Sequence, residues 1–211
     1  MSRDLSSREA KPKSRKEEYA EITKQALHDS ALELFVRQGY GKTSIEDIVR
    51  KARVTRGAFY YHYKSKEDVF VQVYEGLAVQ LVTVIERGLK EIPDPWEKAV
   101  AGCRAFLEYC IDPDYCTIRL DDAIGVLGWK RWRKIDSEHT MKIMRDVLQG
   151  IKESGELIAD NVDLVATMIY AILIEAALTI SASREKQKTR DDVLVIIMNL
   201  LSGLKKGSRS T

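Results

Sequence analysis

Cysteine, histidine and proline are scarce: three, three and four among 211 residues. Cys103, Cys110 and Cys116 form an odd set without close metal spacing, so they read as small core residues in a reducing compartment and not as a disulfide framework. His28, His62 and His139 are scattered, no zinc-ligand spacing occurs, and no phosphate-cradling glycine loop follows a strand. The sequence therefore offers no catalytic residue, no metal site and no cofactor site; an enzyme would need an unrecognised pocket. No apolar run reaches the roughly 18 residues of a membrane span, and no apolar stretch follows the basic N-terminus. A cytoplasmic protein without a membrane partner is expected. No alternating strand pattern competes anywhere, so the fold class is all-α.

A hydrophobic share of 45% and a charged share of 31% are those of a globular chain, long enough for one ample core or two small units in contact. Residues 1–15 are basic and nearly devoid of apolar side chains, which predicts a disordered arm: a solvated tail, or a strand laid along DNA phosphates. Leu27, Ala31, Leu34 and Phe35 predict a helix over 16–38 that Gly39 stops. Ser44 with Asp47 forms a capping box ahead of Ile45, Ile48, Val49 and Ala52, which share one helical face. Arg53-Val54-Thr55 interrupts that pattern, and Thr55 caps a helix of barely two turns from Arg56 through Tyr61. So short a helix must be held by Val54 and Phe59 packing on its neighbours, leaving Thr55, Arg56 and tyrosine hydroxyls outward. This is the anatomy of a helix-turn-helix. Ser65 with Asp68 then starts a long helix through Val69, Val73 and Leu77 toward Arg87, a mechanical link into the rest of the chain.

Charge agrees with DNA contact. Positions 37–66 hold eight Lys or Arg against Glu46 and Asp47, a net +6, whereas the whole chain is only +2 and the remainder is therefore −4. Cationic charge is concentrated where phosphate contact requires it.

Beyond this segment, Asp94 caps and Pro95 opens a helix after the break at 88–95, with Val100, Cys103, Phe106, Leu107 and Cys110 as its apolar stripe and Asp112-Pro113 as its end. A short helix or turn over 115–122 precedes a long helical segment closed by Gly155; Gly125 and Gly128 delay its regular part to about Trp129. Asn161 caps a broad apolar helix over 162–183. After the polar stretch REKQKTR, Thr189 and Asp192 are expected to cap a final helix. Both last helices are apolar on more than one side, which predicts burial inward and against a partner.

The run GKTSIEDIVRKARVTRGAFYYHYKSKEDVF resembles the DNA-binding segment of the tetracycline-repressor (TetR) family, with its Gly and Thr-Ser pair, its aromatic run ending the recognition helix and its Ser-Lys-Glu start of the next helix. Arg53 departs from the pattern, standing where the family often has Gly; a left-handed backbone there costs about 1 kcal/mol. The resemblance implies a basic arm at 1–15, a DNA-binding domain at 16–76, a ligand-binding and dimerisation domain at 77–206 and a tail at 207–211. It further implies a homodimeric repressor that binds a palindromic double-stranded DNA operator and is released by a small-molecule effector. Carried onto this chain, the DNA contacts are Thr43, Ser44, Thr55, Arg56, Gly57, Ala58, Tyr60, Tyr61, His62 and Lys66, with Arg56 reading guanine edges and Tyr60 and Lys66 anchoring phosphates. Pocket candidates are Phe106, Tyr109, Cys110, Trp129, Trp132, Met144 and Met168. Trp129 and Trp132, ringed by Lys130, Arg131 and Arg133, bias the expected effector toward aromatic or anionic compounds. The last two helices would pair with their symmetry mates through Ile172, Ala176, Leu194, Ile197 and Leu201. A ligand-independent architectural DNA binder and a helical enzyme are the other readings.

Overall fold

The computed structural model describes residues 14–112, 118 and 120–207, so the basic arm up to residue 13, Cys116 and the last four residues lie outside it. Among the described residues there are nine helices: α1 (Arg15–Gln38), α2 (Ile45–Ala52), α3 (Arg56–His62), α4 (Lys66–Leu89), α5 (Pro95–Tyr109), α6 (Leu120–Leu127), α7 (Trp129–Glu153), α8 (Val162–Ala182) and α9 (Lys186–Ser202). The all-α expectation holds. The one β-type pairing in this part of the chain is an isolated antiparallel bridge between Leu157 and Lys205, which ties the end of α9 to the α7–α8 loop.

Local chemistry accounts for most boundaries. Ser14 and Glu17 form a reciprocal capping box at α1, Ser44 and Asp47 another at α2, Thr55 caps α3, and Asp94 caps α5 ahead of Pro95. At α4 the box is only half made: Ser65 accepts from the Asp68 amide, but the Asp68 carboxylate turns to the amide of Lys64 at 3.0 Å. Gly128, with φ of +73°, separates α6 from α7 as its place in the sequence predicts. Gly155, at φ of +76°, ends α7 with amides of 155 and 156 returning to the carbonyls of Lys152 and Ile151. The start of α9 departs from expectation. It begins at Lys186, so Thr189 and Asp192 lie inside the helix, and the Thr189 hydroxyl pairs instead with that of Ser183 at 2.7 Å. Directly after the added turn, the Arg190 guanidinium reaches Glu108 on α5 and fixes this end of the helix to the rest of the fold.

Helices α1 to α3 and the first half of α4 enclose Leu27, Ala31, Leu34, Phe35, Ile48, Phe59, Tyr63 and Phe70. The Phe70 ring meets Phe35 and Tyr40 edge-on at 5.3 and 5.0 Å. The second half of α4 packs on α5 and α7, α7 packs on α8, and α9 closes against α5 and α8. The apolar interior is continuous from one part to the other, because α4 contributes Val69, Phe70 and Val73 at one end and Leu77, Leu81, Ile85 and Leu89 at the other. By length and composition α4 and α8 could each cross a membrane, but half of each apolar stretch is buried within this fold.

Arg53 carries a backbone signature. Its φ and ψ of 56° and 38° are left-handed, making it the positive-φ residue other than glycine among the described residues. Arg53→Gly should therefore stabilise the fold by about 1 kcal/mol, a rise in Tm of roughly 2 to 4 °C for a chain of this size. Arg53→Ala, which keeps the Cβ, should give no such rise in thermal unfolding.

Candidate nucleic-acid interface

The turn between α2 and α3 is closed by the amide of Val54 on the carbonyl of Val49 at 3.0 Å and by the left-handed Arg53. Val54 is half-buried and Phe59 fully buried, so the inner face of α3 is pinned as its length requires. The outer face presents Thr55, Arg56, Gly57, Tyr60 and Tyr61 to solvent. Arg56 reaches back across the motif: Nη1 lies 2.6 Å from the Glu46 carboxylate on α2, and Nη2 donates to the Tyr60 hydroxyl at 3.3 Å. The Tyr60 contact and Glu46 both push the guanidinium pKa further up. Its cation is thereby held extended along the exposed edge of α3. Gly57 is not demanded by the fold, since an added Cβ would meet only the Thr55 hydroxyl at 3.7 Å. A bare position on an exposed helix face suits close approach of a groove wall.

The other expected contacts divide by burial. The Ser44 hydroxyl is engaged with Asp47 at 2.6 Å, and these hydrogen bonds hold the Asp47 carboxyl below its ordinary range. Thr43 is a correction: it is 2% exposed, and its hydroxyl donates to the Gly39 carbonyl at 2.9 Å, so it braces the loop instead of facing solvent. Ala58 is half-buried. His62 is half-buried against Tyr61, with centroids 4.9 Å apart, and burial followed by Lys24 lowers its pKa. Lys66 is already engaged within the chain. Its ammonium donates to the carbonyls of Tyr40 and Thr43, both at 2.8 Å, and lies 4.0 Å from the Tyr40 ring centroid. Burial lowers its pKa. It is a strut between α4 and the loop that launches α2. Exposed Lys42, Arg53 and Lys64 flank the same surface; the sequence signal for them was the local charge excess, which does not single out residues.

An apolar cavity of about 80 Å³ lies among α4, α5, α7 and α8. Phe106 and Met144 line it as expected. Tyr109, Cys110, Trp129, Trp132 and Met168 do not. Trp132 is wholly buried outside the cavity, and Trp129 is 47% exposed, its ring tilted against Trp132 at 5.1 Å between centroids and the Arg133 guanidinium 5.8 Å from its centroid. Unforeseen in the sequence are Cys103, whose thiol burial pushes up to about 12, and Asp136. The Asp136 carboxylate is 5% exposed and accepts from the Tyr74 hydroxyl of α4 at 3.2 Å and the Tyr170 hydroxyl of α8 at 2.7 Å. Nearer the DNA-binding end, Arg131 at the start of α7 pairs with Glu67 of α4 at 2.6 Å.

The outward face of α8 and α9 also needs a change of register. Ala176, Leu194, Ile197 and Leu201 are buried within the chain itself, because they are the positions that join α9 to α8 and α5. Of the expected interface residues Ile172 alone is exposed; the other exposed apolar side chains are Leu164 and Met168 on α8 with Val195, Ile196 and Leu200 on α9. Ile197 and Leu201 form the floor of the groove between these rims.

Two substitutions separate reading from bracing. Arg56→Ala should cost about 1 to 3 kcal/mol at a cognate site and relax sequence preference, measured by titration of cognate and random duplexes. Lys66→Ala should lower the stability of the DNA-free protein by about 1 to 3 kcal/mol, because two partly buried carbonyls lose a charged donor. An unchanged Tm together with a salt slope reduced by about one would return Lys66 to the phosphate contacts.

Comparison with known proteins agrees with this geometry. The model for bacterial regulatory proteins of the tetR family matches residues 27–73, and that for the tetracyclin repressor-like C-terminal domain matches residues 96–204, about half of the chain. The Transposon Tn10 TetC protein of Escherichia coli is 25% identical over 193 residues, covering 92% of this chain and 98% of its own. A probable acrEF/envCD operon repressor of Escherichia coli K12 is 28% identical over 159 residues, 70% of each chain. A crystal structure of a TetR-family transcriptional regulator from Pectobacterium atrosepticum superposes with a TM-score of 0.81 at 27% identity, over 93% of this chain and 100% of that one. The chain belongs to the tetracycline-repressor family of DNA-binding transcriptional regulators, which are not enzymes.

Proposed function

We propose that the protein is a homodimeric repressor, acting in the cytoplasm, that binds an inverted-repeat operator and releases it when a small molecule fills the cavity. The observation that carries this reading is the single helix α4. Its first residue, Lys66, braces the loop before α2, and the same helix supplies Tyr74, Val82, Ile85 and Leu89 to the cavity wall and its polar end. A ligand that moves the far end of α4 must move the support of the recognition helix. The Arg131–Glu67 pair adds a second connection between α7 and the DNA-binding end. An effector releases DNA only if it binds the released arrangement better, and a tenfold loss of operator affinity needs about 1.4 kcal/mol of such preference. The name of the operon repressor among the relatives supports the negative sign of regulation.

Dimerisation supplies the second recognition helix. Leu164, Met168 and Ile172 recur every four residues on α8 and are 55%, 53% and 38% exposed, beside Leu200 at 51% on α9. An apolar stripe shared by two adjacent helices fits a two-fold, self-complementary contact that builds a four-helix arrangement with a second copy. Met168→Glu or Leu200→Lys should yield folded monomers in sedimentation at micromolar concentration, whereas Ile197→Lys, aimed into the chain's own core, should lower the Tm. An unaltered protein that sediments as a monomer contradicts the dimer.

Selection of bound duplexes from random DNA tests the function as a whole. The expected result is an inverted repeat whose half-sites are centred one helical turn, about 34–36 Å, or a multiple of it apart. Recovery of single half-sites, or of no enriched sequence, rejects the proposal.

A further inference from the structure

We infer that the cavity selects a small amphipathic organic cation, an alkyl- or arylammonium group whose charge is received by Asp136. This rests on the reading of the cavity as the effector site and names its ligand class. Asp136 is the one acidic side chain lining a mostly apolar chamber, whose other polar side chains are Thr140, the Tyr170 phenol and Lys98. Among the described residues it has two tyrosine donors, Tyr74 and Tyr170, and no Lys, Arg or His nitrogen within 4.0 Å. The buried carboxylate is thus hydrogen-bonded but not neutralised. Burial raises its pKa, while the two tyrosine hydroxyls and the more distant His139 and Arg133 pull the other way. A cation entering the cavity restores a counter-charge where water cannot, and a neutral or anionic isostere does not. The Tyr170 ring lines the same chamber and already holds the Arg133 guanidinium 5.2 Å from its centroid, so that ring tolerates a cation on its face.

The competing candidate is an anion headed by Lys98, which also lines the chamber. On α7 the lining runs from Asp136 to Leu148, a rise of twelve residues or about 18 Å of helix, and Lys98 shares an outer groove with Val147 near the far end. That groove also holds Lys90, Glu86 and Asp146, away from the Asp136 end of the chamber. The bias toward anionic effectors drawn from Trp129, Trp132 and their basic neighbours falls away, because none of those residues lines the cavity. Size restricts the body of the ligand. The chamber of about 80 Å³ is roughly half the 150 Å³ of an engineered cavity that admits benzene, so a ring needs the flexible Met144 to yield.

Three probes of matched shape decide the matter by calorimetry on the DNA-free protein: benzylammonium, benzyl alcohol and phenylacetate. Benzylammonium should bind at least tenfold more tightly than either of the others. Asp136→Asn should erase that preference while leaving benzyl alcohol within about twofold, and Met144→Trp, which fills the chamber, should weaken all three at least tenfold. If Asp136→Asn does not fold, the order of the three probes on the unaltered protein still decides. A cation no tighter than the alcohol, phenylacetate binding best, a preference that survives Asp136→Asn, or no binding of any probe at millimolar concentration overturns the inference. An inverted-repeat operator recovered from random DNA alongside any of these results leaves the repressor reading standing and removes only the ligand class.

Discussion

The structure depends on one uninterrupted helix shared by two cores. The 24 residues of α4 span about 36 Å. Phe70 packs its DNA-side end against Phe35 and Tyr40, and Ile85 and Leu89 line the cavity at the other. The expected division at residues 76 and 77 falls inside this helix, so the two parts are distinguished by what they pack against and not by a linker. Gly76 is placed where α1 approaches: an added Cβ would lie 3.5 Å from the His28 ring. No break interrupts α4 between the two cores.

Polar contacts make that rod informative. Three helices meet at Asp136, which gathers the hydroxyl of Tyr74 from α4 and that of Tyr170 from α8. At the DNA-binding end, Lys66 holds two loop carbonyls and the adjacent Glu67 holds Arg131 of α7. Tyr74, which makes the longer of the two tyrosine bonds, stands about two turns along α4 from the strut beneath α2. Exposed Arg56, tethered to Glu46 and Tyr60, stands on a helix too short to hold its own position.

The helix-turn-helix was legible because its information is local. Ser44, Asp47, Thr55 and Ser65 mark helix starts by side-chain chemistry, and Ile48 and Phe59 mark the inward face by spacing. The internal contacts of Lys66 and Thr43 were not legible, because composition cannot distinguish an ammonium or hydroxyl aimed at phosphate from one satisfied by carbonyls elsewhere in the fold. The register of α8 and α9 failed for a different reason. Apolar side chains cover more than one face of each, so Ile197 and Ile196 look alike in sequence and are separated only by what α5 and α8 cover. Asp136 was hidden in the charged run KRWRKIDSEH, where it resembles a solvated residue until helix phase turns it inward beside Tyr74.

Linkage between the two ends of α4 is the central claim, and thermodynamic reciprocity tests it directly. The affinity of the DNA-free protein for benzylammonium is compared with its affinity in the presence of saturating operator recovered by selection. The expected result is weaker probe binding on the operator complex, by the same factor by which saturating probe weakens operator binding. Equal probe affinity with and without operator, in a protein that binds both, would contradict the account.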